Sequence, residues 1–254
     1  MKIALVTGAS SGIGREFAVQ IPRLYKNLDE LWVVARRTDR LTELQEQIHI
    51  PIRVFDGDLM RDYIFERIER ELSRQGAEVR MLVNAAGYGK AGAFDEIDSR
   101  EQLGMIDLNC RALTKMIWTC MPYLTKGSRI VNIASSAAFA PQPGFAVYAA
   151  SKSYVYSLAQ ALAAELEPKG ISVTAVCPGP VDTEFFRHSG VLPNAFKESA
   201  MADPRLVVRQ ALKDSVDRKR VSVYGMPMKG ARIAAKLLPY TLIADILRWA
   251  NKME

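Results

Sequence analysis

The feature that most constrains this chain is a regular alternation of short apolar segments with longer segments of helical period. Seven apolar segments have the length of a strand: residues 3–6, 31–35, 52–55, 79–83, 129–133, 171–176 and 221–223. Between them apolar residues recur four apart, as at Ile64, Ile68 and Leu72. Strands that are apolar throughout are buried on both faces, which is typical of a parallel sheet covered by helices. We therefore expect an α/β fold, a doubly wound parallel sheet of about seven strands with helices on both faces, in a single domain over residues 1–254.

Composition excludes several other classes of protein. The chain has 254 residues, 49% hydrophobic and 24% charged, which is unlike a collagen, a coiled coil or a disordered chain. The net charge of +6 is not gathered into one block, so we expect no nucleic-acid surface. Three scattered cysteines and two histidines predict neither a disulfide framework nor a metal site. With no signal segment and no long apolar run, the sequence predicts a cytoplasmic protein.

A glycine-rich turn follows the first predicted strand and opens directly into a helix. Its glycines are Gly8, Gly12 and Gly14, and Ser10, Ser11 and Ile13 lie between them. Glycine lets the backbone turn sharply and approach a diphosphate closely, while the free amides at the helix start attract an anion. A glycine-rich turn between a strand and a helix predicts a dinucleotide site.

The end of the second predicted strand distinguishes between the two nicotinamide dinucleotides. Ala35 stands where sites that prefer NAD usually place an acid for the ribose hydroxyl, and Arg36 and Arg37 follow it. Guanidinium groups there favour a ribose 2′-phosphate, with Ser10 or Ser11 assisting. The alternative is a pair of solvated arginines at the start of a loop. We expect NADP(H) to be the preferred cofactor, with NAD(H) as the alternative.

A tyrosine and a lysine lie four residues apart at the start of a predicted helix, so both side chains share one face. A phenol with a pKa near ~10 is a poor acid or base at neutral pH unless its anion is stabilised. The ammonium of Lys152, together with the positive charge of an oxidised nicotinamide, is expected to lower the pKa of Tyr148. Ser135, thirteen residues earlier, follows a strand and is placed to donate a hydrogen bond to a carbonyl oxygen. Each of these residues alone has an ordinary structural explanation, but the combination predicts a reaction site.

These motifs together resemble the short-chain dehydrogenase/reductase family, in its single-domain branch with the TGxxxGxG and YxxxK motifs. The resemblance covers roughly the first three quarters of the chain, in family order. It rests on the turn from Thr7 to Gly14, Asp58, Asn84 to Gly87, Asn109, Ser135, Tyr148, Lys152, Pro178 and Gly179. It implies a Rossmann-type fold and assigns catalysis to Asn109, Ser135, Tyr148 and Lys152, with Asn109 holding a water that connects the lysine to solvent.

The resemblance also implies further cofactor contacts and an assembly. The implied contacts, besides the glycine turn, Tyr148 and Lys152, are Asp58 and Leu59 at the adenine, Asn84, Ala85, Ala86 and Gly87, and a nicotinamide loop with Pro178, Gly179, Val181 and Thr183. Ala85 replaces an asparagine of the family motif, which puts one hydrogen bond in doubt. The family resemblance implies a homodimer or homotetramer formed through the helices that hold Asn109 and Tyr148.

The substrate side is less constrained by the sequence. We expect residues 184–202 to form a substrate lid, whose aromatic residues, together with Phe139, Phe145 and Tyr88, would line an apolar pocket or else close onto the core. Residues 229–254 form a variable C-terminal segment that is amphipathic and basic. Such a segment can rest on a membrane surface, but packing over the cleft or a partner subunit is the favoured interpretation.

The resulting hypothesis is an NADP(H)-dependent oxidoreductase that interconverts a ketone and a secondary alcohol by hydride transfer. Its substrate is expected to be a small hydrophobic molecule: steroid-like, acyl or aromatic. One alternative is a 3-oxoacyl-thioester reductase of lipid metabolism. Another, of a different class, is a non-catalytic NADP-binding sensor.

Overall fold

The computed structural model of the protein describes residues 1–190 and 201–250, without the side chains of residues 186–188. The sheet contains β1 (Lys2–Thr7), β2 (Glu30–Ala35), β3 (Ile52–Asp56), β4 (Glu78–Asn84), β5 (Arg129–Ile133), β6 (Ser172–Val176) and β7 (Val221–Ser222). All adjacent strands run parallel, in the order β3-β2-β1-β4-β5-β6-β7. The prediction of a seven-stranded doubly wound parallel sheet is confirmed. The order reverses between β1 and β4, and in such sheets ligands bind beyond the carboxyl ends of the strands at that point.

The helices of the first half are α1 (Gly12–Leu24), α2 (Thr38–Gln45), α3 (Asp62–Arg74), α4 (Ser99–Ile106) and α5 (Leu113–Cys120). Those of the second half are α6 (Ala146–Leu166), α7 (Glu184–Ser189), α8 (Pro204–Val216), α9 (Met226–Leu237) and α10 (Tyr240–Ala250). A π-helical turn, Asp107–Ala112, joins α4 to α5. A short 3₁₀ turn, Ser136–Phe139, follows β5.

The strands near the middle of the sheet are largely apolar because they pack against helices on both faces. In β1, Ile3 and Leu5 belong to one core with α3, α5 and α6, and Ala4 and Val6 belong to a second core with α1, α2 and α8. All four are fully buried. Hydrophobic burial on both faces therefore fixes the central strand, whose carboxyl end carries the glycine turn.

The C-terminal helices cover less of the protein than the rest. Met228 of α9 is buried, and this helix packs against the 3₁₀ turn that follows Ser135. By contrast, α10 buries none of its residues, and Trp249 is 83% exposed. The described helices include none that is long and apolar enough to cross a membrane.

The glycine turn gives a stability prediction with a matched control. A Cβ on Gly14 would overlap the carbonyl oxygen of Gly8, whereas a Cβ on Gly230, in α9, would meet no atom within 4 Å. Gly14→Ala is expected to lower the free energy of unfolding by about 1–3 kcal/mol, because backbone must shift. Gly230→Ala is expected to raise it by up to about 1 kcal/mol, because alanine is the better helix former. Urea unfolding of both variants measures the difference, and equal effects would contradict this explanation.

Candidate active site

The glycine turn lies against the segment that follows β4. The backbone amide of Gly8 donates to the carbonyl of Val34 at 2.8 Å. Gly8 has φ +69°, and a Cβ there would lie 2.7 Å from the backbone nitrogen of Ala86. The Thr7 hydroxyl accepts from the amides of Ala85 and Ala86 at 3.1 and 3.2 Å. These bonds hold the carboxyl ends of β1 and β4 together and leave a backbone-lined cradle, as a closely approaching diphosphate requires.

Two arginines follow β2 at the same edge. The Arg37 guanidinium donates to the Ser10 hydroxyl through Nε and Nη2 at 3.4 and 3.3 Å, which brings it to the glycine turn. Arg36 is exposed. Burial raises the pKa of Tyr88, and the charge of Arg36 acts on it in the opposite direction, so Arg36 lies near the loop after β4. The residues after β2 therefore do reach the crevice.

The remaining cofactor residues of the sequence prediction lie along this edge too. Asp58 accepts from the amide of Met60 at 2.9 Å, and Leu59 is buried beside it. Asn84 is buried, and its amide donates to Asn132 of β5 at 2.9 Å. Farther along, Gly12 faces the Thr183 side chain, which a Cβ on the glycine would meet at 3.3 Å. The loop that contains Pro178, Gly179, Val181 and Thr183 thus returns to the glycine turn.

The predicted reaction residues come together between β5 and α6. Tyr148 and Lys152 lie one turn apart on α6 and are only 6% and 5% exposed. The Lys152 ammonium donates to the carbonyl of Ile133 at 2.8 Å and lies 5.7 Å from the centroid of the Tyr148 ring. Ser135 accepts from the amide of Ala137 at 3.1 Å. Its side chain lies close enough to the Tyr148 hydroxyl to act on the pKa of the phenol. The arrangement brings a hydroxyl, a phenol and an ammonium to one place.

Asn109 stands in the π-helical turn and fastens two elements of the site. Its amide nitrogen donates to the Tyr88 carbonyl and to the Ser151 hydroxyl, each at 2.9 Å. Its amide oxygen accepts from the Tyr88 backbone at 3.0 Å. The side chain therefore ties the loop after β4 to α6. Ser151, missed in the sequence, also donates to the Tyr148 carbonyl at 2.7 Å, and its position three residues after the tyrosine was the available signal.

Burial changes the acid–base properties of both members of the pair. Burial raises the pKa of Tyr148 to about 12, and the hydrogen bond with Ser135 opposes that rise only in part. Burial likewise lowers the pKa of Lys152 to about 8. For the protein's own groups, burial dominates the pKa of the phenol. The lowering expected from Lys152 together with an oxidised nicotinamide stays a prediction for the protein with its cofactor bound. At neutral pH the phenol keeps its proton and can serve as an acid.

Aromatic rings cover Tyr148. Phe145 stacks on it with ring centroids 4.2 Å apart, and Phe185 of α7 lies at 5.4 Å. The backbone at Gly89 also packs closely against the Tyr148 ring, since a Cβ on this glycine would lie 2.7 Å from the ring. The pocket prediction is wrong for Phe139, which is buried and packs edge-on against Tyr156 at 5.9 Å. In the predicted lid, residues 191–200 and the side chains of residues 186–188 lie outside the described part.

An apolar groove of about 400 Å³ runs beside the start of α6. It is lined by Ala138, Ala140, Pro141, Gln142, Pro143, Ala146, Ala149, Ala150, Ser153 and Tyr240. Tyr240 is the first residue of α10, so the C-terminal segment does border a cavity near the site. None of the predicted catalytic residues, however, is among the described residues that line this groove.

Comparisons with known proteins agree on one family. The model of the family described as short chain dehydrogenase matches residues 2–190. Sulfoacetaldehyde reductase 2 from Chromohalobacter salexigens is 34% identical over 192 residues, which are 72% of this chain and 74% of that protein.

Two solved structures are similar over most of this chain. A short-chain dehydrogenase from Sphingobium yanoikuyae, in complex with NADPH, has a TM-score of 0.77 at 30% identity and covers 93% of this chain and 96% of its own. The bulky-bulky ketone specific alcohol dehydrogenase from Comamonas testosteroni has a TM-score of 0.73 at 28% identity, over 93% of this chain and 92% of its own.

The buried lysine predicts a pH-dependent stability. Its pKa is about 8 in the folded protein against 10.5 ordinarily, so above pH 8 the unfolded chain holds a proton that the folded one lacks. The free energy of unfolding therefore gains a contribution that rises with pH across this window. The Lys152→Met variant has no charge to bury. In thermal unfolding, the midpoint of the variant minus that of the wild type should therefore decrease from pH 7 to pH 10.

The exposed Lys229 of α9 provides the control. Lys229→Met removes the same charge from the surface, and its midpoint difference should not follow that of Lys152→Met. Parallel behaviour of the two variants would contradict a cost of burying the Lys152 charge.

Proposed function

The chain belongs to the short-chain dehydrogenase family, and on this premise we propose that it is an NADP(H)-dependent oxidoreductase that interconverts a ketone and a secondary alcohol on a hydrophobic substrate. Membership of the family makes it an oxidoreductase that acts on CH–OH groups and uses a nicotinamide cofactor. The observation that carries the reaction is the buried Tyr148, which lies close to Ser135 and next to Lys152.

The residues at the glycine turn support NADP(H). Ala35 leaves no carboxylate for a ribose 2′-hydroxyl, and Arg37 and Ser10 already contact each other at the turn. A guanidinium can bind a phosphate through two parallel hydrogen bonds, which distinguishes NADPH from NADH. The Sphingobium yanoikuyae relative, which was solved with NADPH, is consistent with this proposal.

The mechanism assigns one role to each side chain. When bound, the reduced nicotinamide supplies a hydride, which reduces the carbonyl carbon of the substrate. Tyr148 donates its proton to the carbonyl oxygen, so that one hydride and one proton give the alcohol. Ser135 donates a hydrogen bond to that oxygen and stabilises the charge that develops on it. Lys152 stabilises the phenolate that remains.

Asn109 is a positioning residue in this mechanism. Its amide donates to the Ser151 hydroxyl, which donates to the Tyr148 carbonyl, and it therefore fixes the first turns of α6. We further propose that Lys152 holds the nicotinamide ribose and that the loop from Pro178 to Thr183 borders the nicotinamide. These roles follow from the family pattern and from the return of Thr183 to the glycine turn.

The aromatic surroundings of Tyr148 support a hydrophobic substrate. Phe145 and Phe185 bracket the phenol, so the substituents of a ketone that reaches it would lie against apolar rings. The Comamonas testosteroni relative is described as specific for bulky-bulky ketones, which is in line with this choice. A non-catalytic sensor is disfavoured because the serine, tyrosine and lysine are all present and adjacent.

We also propose that the protein forms a homodimer or homotetramer through α4, α5 and α6. Leu103, Ile106, Trp118 and Tyr154 expose 61%, 45%, 78% and 43% of their surfaces on these helices. Thr114 joins α5 to α6 by a 2.8 Å hydrogen bond with Tyr154. Large apolar side chains exposed on adjacent helices are typical of a surface that a partner covers.

The first test removes the proposed acid. Tyr148→Phe is expected to lower kcat by about 10²–10⁴-fold, the usual contribution of a general acid, while NADPH affinity stays within about two-fold. Tyr154→Phe, on the exposed side of the same helix, should leave kcat unchanged. Turnover is followed by loss of NADPH absorbance across steroid, aromatic, acyl-thioester and small aliphatic carbonyls. Full activity of Tyr148→Phe on every active substrate would exclude the mechanism.

The second test addresses the cofactor. Arg37→Ala, alone and with Arg36→Ala, is expected to weaken NADPH binding by about 10–100-fold, as the loss of charge-assisted hydrogen bonds predicts, and to leave NADH binding almost unchanged. Arg74→Ala, on α3, removes an exposed arginine that pairs with Glu71 and is the control. Dissociation constants from nicotinamide fluorescence measure both cofactors. An unchanged ratio of the two constants in the double variant would refute the preference for NADP(H).

A further inference from the structure

A carboxylate from the predicted lid occupies part of the proposed phosphate site. Glu184, the first residue of α7, accepts from Nη1 of Arg37 at 2.9 Å. This hydrogen bond, together with a smaller contribution from Ser11, holds the pKa of Glu184 below its usual range. Arg37 in turn contacts Ser10. An ionised carboxylate thus lies among the side chains proposed to bind the 2′-phosphate.

The residues on either side of Glu184 reach the rest of the cofactor crevice and the reaction site. Thr183 lies over Gly12 of the glycine turn. Phe185 lies 5.4 Å from the ring of Tyr148. At the other end of α7, the Ser189 carbonyl accepts from the amide of Ala91 at 2.7 Å. The helix is therefore held at both ends while it covers the proposed acid.

From this arrangement we propose that Glu184 is a specificity-determining residue that competes with the 2′-phosphate of NADP(H) for Arg37. Arg37 exchanges the carboxylate for the phosphate, and α7 then loses the contact that holds its first turn near Tyr148. NADH has no such phosphate and leaves the ion pair in place. The inference rests on the proposed function, because it takes Arg37 as a ligand of the 2′-phosphate.

The relative strengths of the two interactions make the exchange feasible. The side chains of Arg37 and Glu184 are 42% and 32% exposed, and pairs of this kind change an equilibrium constant by at most about five-fold. A guanidinium that binds phosphate through two hydrogen bonds forms a stronger contact. A phosphate and a carboxylate at one guanidinium also repel each other. The pair is therefore strong enough to hold α7 and weak enough to be displaced.

The first experiment measures the dissociation constants of NADPH and NADH for Glu184→Gln. Glutamine keeps the shape and the acceptor oxygen but removes the charge, so NADPH should bind about two- to five-fold more tightly and NADH should bind as before. Asp182→Asn is the matched control, since it removes an exposed charge two residues away. If Asp182→Asn and Glu184→Gln change the ratio of the two constants equally, the effect is general electrostatics and the proposal is overturned.

The second experiment follows α7 itself by amide hydrogen exchange of residues 184–190. Adenosine 2′,5′-bisphosphate and 5′-AMP are used as probes because they lack the nicotinamide and differ in the 2′-phosphate. In the wild type the bisphosphate should speed exchange in this segment relative to 5′-AMP. In Glu184→Gln the exchange should be fast with both probes. Equal exchange with the two probes in the wild type would contradict the coupling.

The Arg37→Ala variant separates this inference from the proposed function. If Arg37→Ala leaves the NADPH to NADH ratio unchanged, the phosphate site itself is wrong and the inference fails with it. If Arg37→Ala lowers the ratio but Glu184→Gln behaves like Asp182→Asn, the phosphate site stands and only the competition by Glu184 is refuted.

Discussion

The site depends on the way the carboxyl ends of β1 and β4 are joined. The Thr7 hydroxyl accepts hydrogen bonds from two backbone amides of the segment after β4. Because Gly8 has no side chain, the backbone of the glycine turn can contact the backbone of that segment. Hydrophobic burial of β1 on both faces holds this junction in place. The loops proposed to bind the cofactor are arranged around this junction, because the strand order reverses there and the neighbouring loops diverge.

Burial gives the reaction site its chemistry. The same loss of solvation opposes charge on both Tyr148 and Lys152, so it favours a protonated phenol and weakens the basicity of the lysine. The hydrogen bond to the Ile133 carbonyl partly offsets the loss of solvation of the Lys152 ammonium. The cost in stability falls on Lys152, whose charge is buried, because a phenol is protonated at neutral pH in water as well.

The sequence predicted the sheet well because its signals are local. The strands are built around short apolar runs, and the predicted bounds of all seven lie within one residue of the observed ones at either end. The glycine turn and the Tyr148–Lys152 pair were likewise found because their partners lie close in the chain or share one helix face.

What the sequence could not reveal comes from contacts between distant segments. Glu184 meets Arg37 across 147 positions, and no spacing rule connects them. The burial that raises the pKa of Tyr148 is also absent from the sequence, which shows a neighbouring ammonium but not how deeply the ring is buried. Phe139 was assigned to a pocket because an aromatic residue in a loop has the same sequence signature whether it faces a ligand or Tyr156.

The π-helical turn between α4 and α5 has a consequence for how this region can change its length. A turn of this type inserts about one residue into a helix, which rotates everything after it by about 100°. That rotation brings Trp118 onto the face that carries Leu103 and Ile106, while it turns Asn109 inward. Loss of a single residue here would restore a regular helix. It would move Trp118 away from Leu103 and Ile106, and it would move the Asn109 amide away from Tyr88. Substitutions along this helix can change its side chains, but an insertion or a deletion would change the rotation between α4 and α5.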